Sequence, residues 1–288
     1  MPERRKDSPA LVNVDCRAPV TIADNLSKSI CVKKVNESTF KLIILGVLAG
    51  VYIGFGACLS TLVSHDSVKY LGLGLTRMIT GGVFSVGLML VVIAGAELFT
   101  GNNLMLMSVL DKRATFIRMF YKWVIVFAAN FIGSVFLAYL YYKTNLWQMG
   151  DMEVGRNALN IANMKVNLSF AEALTRGILC NWLVCLAVWI AIASREVVGK
   201  IFAILFPIMA FVALGFEHSV ANMYFIPFGI FLKASPVFAA SAGNLSGLTW
   251  GAFFVKNLIP VTIGNIIGGA FFVGLLYWVI YVKDSEVK

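Results

Sequence analysis

The chain carries little charge for its length. Of 288 residues only 14% are charged and 59% are hydrophobic, where a soluble domain carries roughly 25% charged residues. That deficit excludes an ordinary soluble protein and places the chain in a membrane. Histidine is nearly missing, with two in all, and neither an HExxH nor a GxSxG stretch occurs, so the pieces of a zinc-hydrolase or serine-nucleophile site are lacking. The five cysteines, Cys16, Cys31, Cys58, Cys180 and Cys185, form no CxxC pair and stand apart from histidine. They read as small apolar core residues, and no metal or cofactor is expected. Paired Asn-Pro-Ala motifs, the mark of a neutral-solute pore, are missing as well. The first 20 residues are polar and broken by proline, without the apolar core and small-residue cleavage site of a secretory signal. The chain is therefore expected to insert by its own spans.

What is present is six long apolar stretches. They cover 42–64, 78–96 with a short continuation at 103–110, 123–142, 177–194, 201–216 with a second half at 219–232, and 257–282, and the uninterrupted stretches match a hydrocarbon core of about 30 Å. Residues 234–255 also lack charge, but their Ser, Gly, Asn and Pro content predicts a loop with a short helix. The net charge of +9 concentrates near the first span, at Arg4, Arg5, Lys6, Arg17, Lys28, Lys33, Lys34 and Lys41. A basic flank beside a span is a topology signal and a lipid-headgroup contact, not a nucleic-acid site. Segments 111–122, 195–200 and 283–288 fall on the same side as the tail, which predicts a multi-pass protein of the cell (plasma or inner) membrane with both termini cytoplasmic. Three regions follow: a cytoplasmic tail at 1–37, a six-span channel domain at 38–283 and a C-terminal tail at 284–288. Within the first, Thr21 to Asp24 resembles a helix start, and Ile22, Leu26 and Ile30 predict an amphipathic helix on the inner surface. The first 18 residues read as disordered.

Two spans are interrupted at membrane depth. Gly215-Phe216-Glu217-His218-Ser219-Val220-Ala221-Asn222 breaks one, and Glu97-Leu98-Phe99-Thr100-Gly101-Asn102 breaks the other. A charge at bilayer depth costs about 2.5–3.5 kcal/mol on the lenient insertion scale, so such groups usually face a cavity and serve transport. Asn130-Phe131-Ile132-Gly133 and Asn265-Ile266-Ile267-Gly268, each running on to an aromatic end, suggest a duplicated three-span unit. An odd number of spans per repeat makes the halves inverted and the broken spans equivalent. The second halves, starting near Asn103 and Ser219, would then present free backbone N–H groups to an anion.

His218 is the only histidine within a span and the candidate donor of a hydrogen bond or a proton to a passing anion, so passage is either unassisted by protons or proton-coupled. Thr100 offers a hydroxyl at the matching break. Asn181 and Asn265 are either polar wall groups or interhelical hydrogen-bond partners. Glu97 and Glu217 read as structural carboxylates at the breaks, Glu217 pairing with backbone amides or a distant cation. Lys165, near the outer end of span four, either concentrates anions or meets a headgroup. Phe84, Leu88, Leu98, Phe99, Val184 and Phe211 are candidates for hydrophobic constrictions that strip hydration.

At these residues the chain resembles the formate/nitrite transporter family. Ala94-Gly95-Ala96-Glu97-Leu98-Phe99-Thr100-Gly101, Leu179-Cys180-Asn181-Trp182-Leu183-Val184-Cys185, Gly215 to Met223 and Asn257 to Asn265 carry the likeness, which extends over roughly 38–283. The resemblance implies an all-α membrane fold of six helices in an aquaporin-like inverted repeat with spans two and five broken. It also implies a homopentamer with one pore per protomer, passing monovalent anions such as formate, nitrite, hydrosulfide, acetate or lactate, with formate in the lead. It assigns the central relay to His218 and Thr100 with Asn181 and Asn265 beside it, Lys165 to the outer vestibule, and Phe84, Leu88, Phe99, Val184 and Phe211 to the narrowing of the path.

Overall fold

The computed structural model describes residues 15–238 and 245–283. Its helices are α1 (residues 19–36), α2 (Thr39–Ser64), α3 (Ser67–Gly95), α4 (residues 101–110), α5 (Phe116–Lys143), α6 (Glu153–Val166), α7 (Phe170–Ala193), α8 (Val197–Leu214), α9 (Ser219–Lys233) and α10 (Trp250–Tyr281). Six of them, α2, α3, α5, α7, α8 and α10, are long and apolar enough to cross a membrane. The spans start earlier than the sequence reading has them: α3 at Ser67, α5 at Phe116, α7 at Phe170, α8 at Val197 and α10 at Trp250. The physical reason is common to them. The added turns carry Lys69 and Arg77, Arg118 and Lys122, Glu172 and Arg176, Lys200, and Lys256, and a charge-free window stops at such residues although their long stems reach out from the helix. Residues 250–255 thus belong to α10 rather than to a loop over 234–255, of which 239–244 lie outside the described residues.

The N-terminal helix corrects another expectation. Its cap is Ala18 with Pro19 in the first turn, not Thr21, because proline's fixed φ suits that position. Ile22, Ala23, Leu26, Cys31 and Val35 are at most 2% exposed, seated on α4, α7 and α10. One face of the helix packs on protein. Burial pushes the Cys31 thiol up to about 12, so it stays protonated and unreactive. Arg17 donates its backbone N–H to Ala193 O at 3.0 Å and Nη1 to Ile192 O at 2.6 Å, which ties down the end of the stretch read as disordered; residues 1–14 lie outside the described ones.

Two halves follow the same plan, α1–α5 and α6–α10: an amphipathic helix, a span, a span broken in two, and a last span. The duplicated unit is therefore larger than three spans. In α5 a Cβ on Gly133 would strike the Val47 carbonyl oxygen, and in α10 one on Gly268 would strike that of Ile178. Such approach of backbones is what small residues permit in membranes. Gly95 (φ 91°) and Gly215 (φ 78°) end α3 and α8 in the left-handed region, which glycine enters at little cost.

Candidate functional site

Each break is held by one asparagine from the last span of its own half. Asn130 Oδ1 accepts the Phe99 N–H at 2.9 Å while its Nδ2 donates to Gly46 O and Glu97 O at 2.7 and 2.9 Å. Asn265 Oδ1 accepts the Ser219 N–H at 2.9 Å, and its Nδ2 donates to Gly177 O and Glu217 O at 2.8 and 2.9 Å. The Phe99 and Ser219 N–H groups are consequently engaged by protein. Asn265 is a clamp of the fold rather than a wall of the path. Asn181, fully buried, likewise donates to Thr100 O at 3.2 Å and Asn265 O at 2.7 Å.

The carboxylates follow the same duplication. Lys34 Nζ lies 2.8 Å from Glu97 Oε2 and 2.8 Å from Asn102 Oδ1. Lys165 Nζ lies 2.8 Å from Glu217 Oε1, whose other oxygen accepts Asn222 Nδ2 at 2.7 Å and Asn257 Nδ2 at 3.3 Å. Lys165, shortly before span four begins at Phe170, sits in the last turn of α6, the counterpart of α1, and is the cation that Glu217 meets. The sequence reading missed Lys34, Asn102, Asn130, Asn222 and Asn257 as members of these clusters. A signal was there, since an asparagine stands five residues after each glutamate, two residues beyond a glycine.

Aligned by their glycines and glutamates, the breaks pair His218 with Leu98, and Thr100 with Val220. His218 and Thr100 are thus not equivalent positions, yet they meet: Thr100 Oγ1 lies 2.9 Å from His218 Nε2. His218 caps α9, its Nδ1 accepting the Ala221 N–H at 3.1 Å. With Nδ1 an acceptor, the neutral ring carries its proton on Nε2 and donates it to Thr100. Thr100 is fully buried and His218 is 3% exposed.

A cavity opens on either side of this pair. One, of about 360 Å³, is lined by His218, Phe84, Phe211, Phe225, Lys165, Glu217 and Arg77 among others; Phe84 meets Phe211 edge-on at 5.7 Å, and Phe211 stacks near His218 at 6.0 Å. The other, of about 770 Å³, lies under α1 and is lined by Leu88, Leu98, Gly101, Lys33, Lys34, Lys41, Glu37 and Glu97 among others. Phe99 and Val184 line neither. The Phe99 ring packs against Phe127 and Trp123 at 5.0 and 6.2 Å, because the backbone there matches Ser219 and faces α5. Both cavities hold more basic than acidic side chains, which favours negative solutes.

These features define a helical membrane protein built as an inverted repeat, with a cavity on either side of the His218–Thr100 pair. Residues 21–279 match the formate/nitrite transporter family, a family of transporters and channels, and the chain belongs to it. It is 49% identical over 259 residues to a probable formate transporter of Methanothermobacter thermautotrophicus, covering 85% of this chain and 90% of that one. It is 38% identical over 261 residues to the formate channel FocA of Escherichia coli (strain K12), covering 88% of this chain and 91% of that one. A solved structure described as a pentameric formate channel with formate bound shares the fold at TM-score 0.76 and 35% identity, over 85% of this chain and 98% of that one.

Proposed function

We propose that the protein is a transmembrane channel for small monovalent anions, formate first among them, with His218 and Thr100 as the polar step between two basic cavities. The observation that carries this reading is the 2.9 Å contact between Thr100 and His218 where the cavities approach each other. A formate ion drawn into either cavity meets an apolar narrowing, Phe84 and Phe211 on one side and Leu88 and Leu98 on the other, and loses water there. The hydroxyl and imidazole then replace part of that hydration. Nitrite, hydrosulfide, lactate and acetate fit the same chemistry and rank behind formate because the curated relatives above are formate proteins. By the same comparison we propose a homopentamer with one path per protomer, embedded in lipid. Loop charge supports cytoplasmic termini in the plasma or inner membrane, with the basic segment 1–37 and the tail 284–288 on that side of the channel domain.

Flux into proteoliposomes tests the central step. Replacing His218 by Phe removes both the Thr100 contact and the α9 cap, so His218→Asn is the sharper variant, since asparagine caps helices well. The Asn variant is expected to fold and to lose most formate flux; wild-type flux and pH dependence in both variants would remove His218 from the path.

A further inference from the structure

We propose that Arg77 is the residue that captures the anion in the α6-side cavity and sets its preference for two-oxygen ions, an inference resting on the anion-channel reading above. Three cations line this cavity, Arg77, Lys165 and Arg176, against one acid, Glu217. The positive charge of Lys165 is closed off by Glu217 at 2.8 Å. Arg176 Nη2 lies 3.6 Å from Glu172 Oε1. Among the described residues Arg77 has no carboxylate within the 4.0 Å of an ion pair. The uncompensated charge that this cavity shows an arriving anion is therefore Arg77's.

Its chemistry adds selectivity to attraction. Nη1 donates to Ala213 O at 3.1 Å, which anchors the guanidinium at the end of α8, two residues before Gly215 turns the chain toward His218. The Nε and Nη2 donors form the remaining edge, two parallel N–H bonds that match the paired oxygens of a carboxylate or nitrite. Hydrosulfide, with one heavy atom, gains the charge but not the second bond. Arg77 thus holds a carboxylate at the mouth, before the aromatic narrowing and the His218 step.

The test uses the full chain in proteoliposomes, with initial uptake of sodium formate and of sodium hydrosulfide measured over a concentration series. Arg77→Gln is expected to raise the half-saturating formate concentration roughly five- to tenfold, leave the maximal rate near wild type and flatten the dependence on ionic strength. Arg77→Lys is expected to restore hydrosulfide uptake fully and formate affinity only in part. A Gln variant with wild-type half-saturation would overturn the proposal. So would equal loss of maximal rate for both ions in the Gln and Lys variants with a lowered melting temperature, which would leave Arg77 as a cap of α8. A wild type that carries neither ion removes the channel reading and this proposal together, whereas an active wild type with an indifferent Gln variant removes this proposal alone.

Discussion

Thr100 and His218 meet as two neutral side chains, and the direction of the bond between them follows from the far side of the ring. Because the Ala221 N–H occupies Nδ1 at 3.1 Å, Nε2–H points at Thr100 Oγ1, and the threonine's own proton is left to donate elsewhere. A hydroxyl whose oxygen accepts from an N–H is a stronger donor through polarisation along the chain. In the proposed step the Thr100 hydroxyl therefore acts together with His218, the member of the pair that lines a cavity. To become a cation, His218 would have to give up its α9 cap, so the proposed step is written as hydrogen bonding to the ion. Thr100→Val keeps the shape and removes the hydroxyl. A hydrogen bond to a charged group contributes about 1.5–3 kcal/mol, so formate flux should fall about tenfold or more, while Thr100→Ser retains it. Stopped-flow uptake in proteoliposomes reads both, and equal flux in the Val variant would show that the imidazole alone supplies the contact.

At the scale of elements, the broken spans persist because other helices hold them open. Asn130 and Asn265 each make three hydrogen bonds that bridge the first span, the break and the last span of one half. Replacing either by leucine strands donors and acceptors where water is scarce. At the roughly 0.6–1.7 kcal/mol that such bonds contribute in membranes, each substitution should cost about 2–5 kcal/mol, and by the duplication the two costs should be alike. Thermal unfolding in detergent checks this: a large loss for Asn265→Leu with none for Asn130→Leu would mean that the halves are not held in the same way. The spans and both breaks were legible in the sequence because apolar length and a buried Glu or Gly are local signals. The helix α6 was not, since Glu153, Arg156, Asn157 and Lys165 give it the composition of a loop. Its buried stripe of Val154, Ala158, Leu159, Ala162 and Val166 keeps helical spacing, but only packing on α9 shows what the stripe faces. The Lys165–Glu217 contact spans 52 residues, and no local pattern states such a pairing. Phe99 was half legible for the complementary reason: its place beside the break is local, whereas the packing of its ring on Phe127 follows from the register of Asn130.

At the scale of the whole molecule, the residues of the proposed step lie within one chain. His218 and Thr100 come from the two halves of a single protomer, and both cavities are walled by the same 31.5 kDa chain. If five protomers assemble, symmetry multiplies this path without sharing it, and assembly serves to cover apolar helix faces such as Phe202, Phe206 and Leu214, which are 54%, 57% and 63% exposed. Mixed assemblies separate the two cases. Wild-type chains co-expressed with His218→Asn chains in equal amounts, and purified through a tag on one of them, should form particles with the mass of five chains by light scattering. Their formate flux per protein should be half that of wild type and should follow the wild-type fraction in a straight line. A pore built between protomers would instead lose nearly all flux at that ratio, because few particles would lack a variant chain. A steep fall would move the conducting path from the centre of each protomer to the axis between them.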